Sequence, residues 1–489
     1  MGLLSVARTL FLLTILEKNR PLSQEMTDST ITASLPAYDL IVIGGGVVGL
    51  ACLRAATLKG WKCALVEAQP DLLTQASGGN SGIVCTGVDA LPGTLERALI
   101  RDSISEFRLY CESHNIPIRP CGSLVCLFPW DVSCENADKD YVSQLNNVLQ
   151  ESHIAGDSDA KILHSDSKLL TTMENNVSSR LLGAVHIPGE MVVDSWVYSI
   201  SLAAHAVENG AKIYTNFHVE CVTRNEESDN GADEQVWVLK RRDDDDSSDV
   251  PLLLQSKAVV NATGSWSDLV EGMAGLKSQW TTKPRRGQYR VYNSNAKTRI
   301  LHPLQPIPNQ KTKGVFVFST LHNQLVVGPT ALDQTSRTDR SIDPIVAQQL
   351  DDHIKRVIPH MDTESSHVGD FVGIRPGTEY RDYQIHLNPK KNWIAVAGIR
   401  STGLTASLGI GNYVVRLLRA ILKEPSSDVS GDVQTTKIPT LEQLAVDYLT
   451  HGDGCCAING LGRCLVTHPL TRMGFEASAA RAASVVKIK

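Results

Sequence analysis

The 489-residue chain lacks three features that would direct it to particular classes of protein. Its 11 cysteines include no C-x-x-C pair, so neither a zinc site nor a redox-active dithiol is indicated, and no metal site is predicted. Lys and Arg number 47 against 53 Asp and Glu, and the net charge of −6 gives no reason to expect nucleic acid or a membrane surface as a partner. An apolar stretch at residues 3–16 is too short to cross a bilayer, so no transmembrane segment is predicted.

What remains is the composition of a large globular protein. Hydrophobic residues make up 42% of the chain, and its length allows two or more domains. The scattered cysteines are typical of reduced thiols inside a cell. Residues 1–37 are predicted to be an N-terminal extension or targeting segment: three basic residues favour a mitochondrial presequence and three acidic residues oppose it. A cytoplasmic location is the alternative, and free thiols count against a secretory signal.

Residues 38–67 have the pattern of a strand, a glycine-rich turn, a helix and a second strand. The branched apolar run Leu40–Ile43 is typical of a strand buried on both faces. A stretch rich in Ala and Leu follows it and predicts a helix that ends at Gly60. Cys63–Val66 form the second apolar strand.

Three glycines of this segment, Gly44, Gly46 and Gly49, have the spacing G-x-G-x-x-G. The first allows a tight turn, the second lets the backbone approach a pyrophosphate, and the third lets helix and strand pack closely. The start of the helix offers free N–H groups to the phosphates. Glu67 follows the second strand, about 20 residues after the first glycine, where an acidic residue binds ribose hydroxyls. Together these features predict a dinucleotide site.

A second stretch, Ser77–Gly82, is small and flexible, so its backbone can pass close to a cofactor. It continues from Asn80 as N-S-G-I-V-C-T-G-V-D and then reaches P-G-T-L at Pro92–Leu95. This stretch resembles the FAD-dependent oxidoreductases of the D-amino-acid-oxidase superfamily, above all members like L-2-hydroxyglutarate dehydrogenase/oxidase and glycerol-3-phosphate dehydrogenase. The resemblance implies FAD as cofactor, with Ser77, Asn80 and Ser81 among the residues that bind it. Cys85 stands where many members carry His, which leaves covalent attachment of the flavin open.

Two later segments resemble the places where the family returns to its cofactor. The strand Ala258–Val260 runs into A-T-G, which implies a cofactor contact at Gly264. The strand Trp393–Ala397 leads to a third segment, followed by a helix predicted from Ala406 whose positive end would favour a reduced, anionic flavin. The cofactor residues implied in this third segment are Gly398, Arg400, Gly403, Leu404 and Thr405.

The candidate substrate residues are Arg375, His322 and Lys313. Arg375 lies in G-I-R-P, resembling the family position that holds the substrate carboxylate, and a guanidinium suits this role because it forms a planar bidentate pair. Its alternative is an arginine in a structural salt bridge. Lys313 and His322 resemble residues of the family's K-G-V and [ST]-x-x-H strands, implying substrate binding and proton abstraction. Their alternatives are an exposed turn lysine and a histidine with an ordinary structural hydrogen bond.

The resemblance implies an α/β fold in which a discontinuous, Rossmann-like FAD-binding domain is interleaved with an α+β substrate domain on a mostly antiparallel sheet. The FAD-binding domain is predicted over residues 38–120, 181–266 and 366–425. The substrate domain is predicted over residues 121–180 and 267–365. Residues 426–489 are a C-terminal tail without a predicted role, since their cysteines lack iron–sulfur spacing.

The implied reaction is oxidation of a small anionic 2-hydroxy acid resembling 2-hydroxyglutarate, with hydride transfer from its Cα to flavin N5. Arg375 would hold the carboxylate, and His322 or another residue would accept the hydroxyl proton. The alternatives are a glycerol-3-phosphate dehydrogenase, an amine or amino-acid oxidase, and a non-catalytic flavoprotein scaffold. The electron acceptor is left open among oxygen, a quinone and an electron-transfer flavoprotein, as is the oligomeric state.

Overall fold

The computed structural model describes residues 35–131, 137–225, 235–243, 250–308, 314–425 and 433–486. The helices in this part of the chain are α1 (Val47–Thr57), α2 (Leu95–Ser113), α3 (Ala137–Ile154), α4 (Lys168–Met173), α5 (Ser195–Glu208), α6 (Ser267–Met273), α7 (Pro344–Val357), α8 (Gly403–Leu418), α9 (Leu441–His451) and α10 (Pro469–Val486). The strands up to residue 261 are β1 (Ala37–Ile43), β2 (Cys63–Val66), β3 (Ile83–Val84), β4 (Ile118–Arg119), β5 (Ser123–Leu127), β6 (Lys161–His164), β7 (Gly183–Ile187), β8 (Met191–Val193), β9 (Lys212–Tyr214), β10 (Val219–Arg224), β11 (Trp237–Arg241) and β12 (Leu253–Asn261). The later strands are β13 (Thr282–Asn293), β14 (Leu304–Pro306), β15 (Phe316–Ser319), β16 (Gln324–Gly328), β17 (Leu332–Asp333), β18 (His367–Thr378), β19 (Gln384–Asn388), β20 (Trp393–Ala397), β21 (Cys455–Ile458) and β22 (Gly462–Leu465).

One sheet has eight strands and a parallel centre. Its main order is β10-β11-β12-β1-β2-β9, with β20 beside β12 and β19 beside β20. The pairs β12–β1, β1–β2, β2–β9 and β12–β20 are parallel. Alternate residues of β1 belong to two different apolar clusters, one on each face of the sheet, so the apolar run of β1 is that of a doubly buried strand. This is the predicted Rossmann-like sheet.

The second sheet has nine strands and is mostly antiparallel. Its order is β17-β13-β16-β15-β14-β5-β7-β6, with β18 also paired to β13. Only its β14–β5 pair runs parallel. One face packs against α7, whose buried side chains join the apolar cluster of this sheet. The predicted α/β fold with two interleaved units and an antiparallel second sheet is therefore confirmed.

The exact domain limits, however, follow the strand pairing rather than the predicted boundaries. Residues 183–187 form β7, which pairs with β5 and β6 of the nine-stranded sheet. Residues 367–378 form β18, which pairs with β13 over most of its length. The sequence predicts both segments to be in the FAD-binding domain, because the residues of a strand do not show which sheet it joins. We propose the same division with these two strands moved to the substrate domain.

The C-terminal segment packs on the face of the eight-stranded sheet that α1, α2, α5 and α8 also cover. It comprises α9, the hairpin β21–β22 and α10. Its buried residues Leu444, Cys456, Val466 and Phe475 belong to the same apolar cluster as those four helices. Within the part of the chain that the structure describes, every helix is too short or too polar to span a membrane.

Candidate active site

A cavity of about 1660 Å³ lies between the two sheets. Four parallel strands of the eight-stranded sheet, β1, β2, β12 and β20, end at it, and β13 and β18 of the other sheet form the opposite wall. Ligands of open α/β sheets bind at the carboxyl ends of the strands, and this cavity has that position.

The turn between β1 and α1 brings distant backbone segments into contact at Gly44 and Gly49. Gly44 has a φ of +110°, and a Cβ there would lie 2.7 Å from the carbonyl oxygen of Ala262, which follows β12. A Cβ on Gly49 would lie 2.0 Å from the carbonyl oxygen of Gly44. Neither position has room for a side chain. Gly44 lines the cavity, whereas Gly49 lies behind it.

The carboxylate of Glu67 is held at the cavity by the backbone. Its Oε2 accepts a hydrogen bond of 2.6 Å from the N–H of Gly45, and its Oε1 accepts one of 2.9 Å from the N–H of Gln69. Burial raises the pKa of Glu67, and these backbone N–H groups act in the opposite direction. Glu67 is therefore an oriented acceptor beside the glycine turn.

Helix α1 begins at the cavity, and its N-cap residue has no side chain that could cap it. Its N-cap residue is Gly46, and its first turn holds no acidic residue. Ser77 lies in the short 3-10 turn Ala76–Gly79, and its Oγ accepts a hydrogen bond of 3.0 Å from the N–H of Val47. Gly46 and Ser77 both line the cavity. The positive end of the helix dipole is thus left for an anion from outside the chain.

Asn80 and Ser81 line the cavity next to this 3-10 turn. The Oδ1 atom of Asn80 accepts hydrogen bonds of 2.7 Å from the N–H of Gly82 and 3.3 Å from the hydroxyl of Ser195. Its backbone carbonyl accepts a hydrogen bond of 2.8 Å from Nε2 of His468. The side chain of Asn80 therefore fixes the shape of the loop, and its backbone faces the C-terminal segment.

A second helix, α8, also begins at the cavity. It starts at Gly403, earlier than the predicted Ala406, and Gly403 and Leu404 line the cavity. The helix has no side-chain cap at Thr402 and no acidic residue in its first turn. Like α1, it presents the positive end of its dipole to the cavity.

Arg400 lines the cavity, but its guanidinium is already paired. Its Nη2 lies 2.7 Å from Oε2 of Glu96 and donates a hydrogen bond of 2.5 Å to the carbonyl oxygen of Arg381. The hydroxyl of Thr402 donates a hydrogen bond of 2.6 Å to the other carboxylate oxygen of Glu96. Glu96 is 2% exposed at the start of α2, so it ties the third cofactor segment to that helix. Sequence reasoning missed Glu96, because no motif spacing links residues 304 positions apart.

The other predicted cofactor residues differ in position. Gly264 lines the cavity just after β12, whereas Gly398 and Thr405 are not among the residues of its wall. Thr405 supports the wall from behind: its Oγ1 accepts a hydrogen bond of 3.2 Å from the N–H of Cys85, whose Sγ lies 3.8 Å from the same oxygen. Cys85 itself lines the cavity.

Arg375 lies on β18 in the wall opposite the glycine turn. Its Nη2 donates a hydrogen bond of 3.0 Å to the carbonyl oxygen of Thr330. Burial lowers the pKa of Arg375, Tyr289 beside it raises that pKa, and Arg285 lowers it. No carboxylate of the described residues is within ion-pair distance of this guanidinium.

The neighbouring arginines differ from Arg375 in this respect. Nε of Arg285 lies 2.6 Å from Oδ1 of Asp333, and Nη1 of Arg286 lies 3.4 Å from Oδ2 of Asp339. Of Arg285, Arg286 and Arg375, only Arg375 has no carboxylate of the described residues within ion-pair distance.

Tyr289, which was not among the predicted site residues, supports Arg375. Its ring stacks on that of Phe371 across the β13–β18 pair, with centroids 4.3 Å apart and an angle of 6° between the planes. Burial raises the pKa of Tyr289, and the charge of Arg375 opposes this. Tyr289 is the last residue of the run P-R-R-G-Q-Y at positions 284–289, and this run is the sequence signal that could have identified it.

His322 is not brought together with Arg375. Its Nε2 lies 2.8 Å from Oδ2 of Asp194, and its ring lies edge-on to Phe475 at 5.5 Å. It is 8% exposed and absent from the cavity wall. Proton abstraction by His322 therefore has no support from its position, because the side chain is used within the protein. Lys313, the other catalytic candidate, lies outside the described residues.

The residues of this cavity fit FAD. The glycine turn leaves the backbone open to the cavity, two helix N-termini favour the negative charge of the cofactor, and Glu67 offers an acceptor for ribose hydroxyls. We propose that these groups, with the walls formed by Ser77, Asn80, Ser81, Gly264 and Arg400, hold the cofactor.

Comparison with known proteins agrees with this fit. The sequence profile of the DAO family, described as FAD dependent oxidoreductase, matches residues 39–417. The chain therefore belongs to this family, and it is an FAD-dependent oxidoreductase, as its sequence predicts.

Three similar proteins illustrate the range of the family. A glycerol 3-phosphate dehydrogenase of Caloramator mitchellensis is 28% identical over 84% of this chain and 80% of its own length. The mitochondrial L-2-hydroxyglutarate dehydrogenase of Caenorhabditis briggsae is 25% identical over 62% of this chain and 65% of its own length. The dithionite-reduced L-alpha-glycerophosphate oxidase of Mycoplasma pneumoniae, solved with FAD bound, superposes with a TM-score of 0.69 at 24% identity, over 80% of this chain and 97% of that one. This superposition shows the same fold.

Proposed function

We propose that the protein oxidises a CH–OH group of a small anionic substrate whose anionic group binds Arg375. The observation that carries this proposal is the partly buried guanidinium in the cavity wall, which has no carboxylate partner in the described part of the chain. A desolvated cation of this kind favours an anion strongly, because little water competes for it. FAD, when bound, supplies the hydride acceptor for such an oxidation.

The preferred substrate is a 2-hydroxy acid resembling 2-hydroxyglutarate. A carboxylate is planar and matches the two parallel N–H donors of one guanidinium. Arg375 offers this fork, and its hydrogen bond to the carbonyl of Thr330 fixes its direction. The stacked ring of Tyr289 packs beside it, so the fork is held before substrate arrives.

Glycerol 3-phosphate is the second candidate. Of the two dehydrogenases named above, the glycerol 3-phosphate dehydrogenase matches the larger share of this chain, 84%. A phosphate carries more charge than a carboxylate, and Arg285 lies directly opposite Arg375 in the strand pair. Its partner Asp333 has a side chain 75% exposed, so a phosphate can compete for Arg285 with Asp333.

Substrate assays with the purified holoenzyme and an artificial electron acceptor distinguish these candidates. We expect turnover with L-2-hydroxyglutarate and at least about tenfold lower kcat/KM with glycerol 3-phosphate. The reverse ratio establishes the second candidate. Turnover with amino acids but with neither hydroxy compound points to an amine or amino-acid oxidase. A flavoprotein that reacts with none of these compounds points to a non-catalytic scaffold. Parallel assays with oxygen and with a soluble quinone identify the acceptor.

A further inference from the structure

The described C-terminal segment, residues 433–486, lies beyond the family match, which ends at residue 417. It nevertheless reaches the wall of the cofactor cavity. Between β22 and α10, the backbone passes the loop of residues 72–80, most of which line the cavity.

Two side chains of this segment hold the two ends of that loop. The hydroxyl of Thr467 donates a hydrogen bond of 3.2 Å to the carbonyl oxygen of Leu72. Nε2 of His468 donates one of 2.8 Å to the carbonyl oxygen of Asn80. The loop between these two carbonyls includes Ser77, which contacts the start of α1. The C-terminal segment thus fixes the part of the wall nearest to the anion-binding end of α1.

The imidazole of His468 is suited to this contact because both of its nitrogens are used. Nδ1 accepts a hydrogen bond of 3.2 Å from the N–H of Leu470, which leaves the proton on Nε2 for Asn80. The side chain is 2% exposed, and burial lowers the pKa of His468 to about 4. The charged and titratable groups that face it are Asp194, His322 and Arg472.

Helix α10 anchors the segment just after this contact. The hydroxyl of Thr471 donates hydrogen bonds of 3.0 and 2.9 Å to the two carboxylate oxygens of Asp194, the residue that also binds His322. Gly474 lies against the ring of His322, where a Cβ would come within 2.2 Å of Cγ of that ring. His322, which the sequence predicts as a candidate base, is therefore part of the surface on which α10 packs.

We propose that the C-terminal segment completes the FAD site, and that Thr467 and His468 are positioning residues that hold the loop of residues 72–80 in its cofactor-binding shape. FAD affinity then depends on a part of the chain outside the family match. This inference rests on membership of the FAD-dependent family and is independent of the proposed substrate.

The test measures FAD binding to full-length apo-protein, with flavin fluorescence as the readout. The thermal unfolding of the apo-protein is measured in parallel. His468→Leu should raise the Kd for FAD about tenfold, because one buried hydrogen bond is lost and the loop carbonyl is left unpaired. His468→Gln, which keeps a donor, should restore most of the affinity. Thr467→Val should act in the same direction and provides a milder variant if His468→Leu folds poorly.

His451→Gln is the matched control, since His451 is an exposed histidine of the same segment. Its Kd should equal that of the wild type. Wild-type Kd in both His468→Leu and Thr467→Val, with only a lower unfolding temperature of the apo-protein, would show that the segment is merely structural. An equal rise in the His451→Gln control would also overturn the proposal.

Discussion

Arg285 and Arg375 occupy directly paired positions on the adjacent strands β13 and β18, yet of the two only Arg285 lies within ion-pair distance of a described carboxylate. The partner of Arg285 is Asp333, and the exposure of this pair makes it weak. Arg375 instead lies in the cavity wall with its guanidinium bonded to a carbonyl oxygen. Arg285 thus forms a weak ion pair at the surface, whereas Arg375 presents its guanidinium to the cavity as a binding group.

Arg375→Lys should raise KM for the substrate by about 30- to 100-fold while FAD stays bound. Lysine keeps the charge but loses the two parallel donors, and hydrogen bonds to charged groups contribute about 1.5 to 3 kcal/mol. Steady-state kinetics of holoenzyme measure this change. Arg285→Lys is the matched control and should change KM by no more than about threefold if the substrate is a carboxylate. Unchanged kinetics of Arg375→Lys would remove this residue from the site.

FAD affinity should depend on pH through Glu67. Ribose hydroxyls donate to the ionised carboxylate, and burial raises the pKa of Glu67 above the usual 4.5. Because the raised pKa favours the protonated form in the apo-protein, affinity is complete above that pKa and is lost as the pH falls through it. Titrations of apo-protein with FAD from the usual carboxyl pKa of 4.5 upwards should show this loss of affinity at the low-pH end, and the loss should be absent in Glu67→Gln. If the loss of FAD affinity at low pH persists in Glu67→Gln, a group other than Glu67 causes it.

Gly49→Ala should impair FAD binding and destabilise the fold by about 2 kcal/mol or more, because the new Cβ would lie 2.0 Å from the carbonyl oxygen of Gly44. Gly272→Ala offers a control in another helix, α6, where a Cβ would meet no atom within 4 Å. That variant should be more stable by up to about 1 kcal/mol, since alanine favours helix. Urea unfolding monitored by circular dichroism measures both. Equal stability of the two variants would contradict the close contact at Gly49.

His322→Leu should lower the free energy of unfolding by about 2 kcal/mol but leave kcat of the folded holoenzyme within about threefold of the wild type. The loss of stability is expected because Asp194, 5% exposed, loses a hydrogen-bond partner beneath α10. Burial alone would raise the pKa of Asp194, but the hydrogen bond from His322 holds it below its usual range. His360→Leu, at an exposed position, controls for loss of a histidine. A hundredfold fall in kcat with FAD still bound would instead make His322 the base.

Local patterns in the sequence predict the nucleotide-binding half of the site well. The apolar run of β1, the three glycines and Glu67 lie within one short segment, and their spacing translates directly into a strand, a turn and a helix. The resemblance adds two segments, distant in sequence, in which the chain comes back to the cavity, at Gly264 and Gly403. Both follow strands that lie next to one another in the sheet, β12 and β20.

Contacts between distant segments could not be predicted in the same way. Glu96 meets Arg400 and Asp194 meets His322 only because the sheets and helices fold together. Nothing in the local sequence of His322 shows that α10 covers it. Strand Lys161–His164 and its neighbour β7 likewise join the second sheet through pairing alone.

The most direct measurement is the visible spectrum of the purified holoenzyme during anaerobic titration with L-2-hydroxyglutarate, then with glycerol 3-phosphate on a fresh sample. An anion-binding FAD enzyme should lose its flavin absorption band with one of these substrates. In Arg375→Lys, the concentration of the same substrate that reduces half of the flavin should be higher by about 30-fold or more. Flavin that neither substrate bleaches, or equal half-reduction concentrations in the two proteins, would contradict oxidation of a small anion held by Arg375.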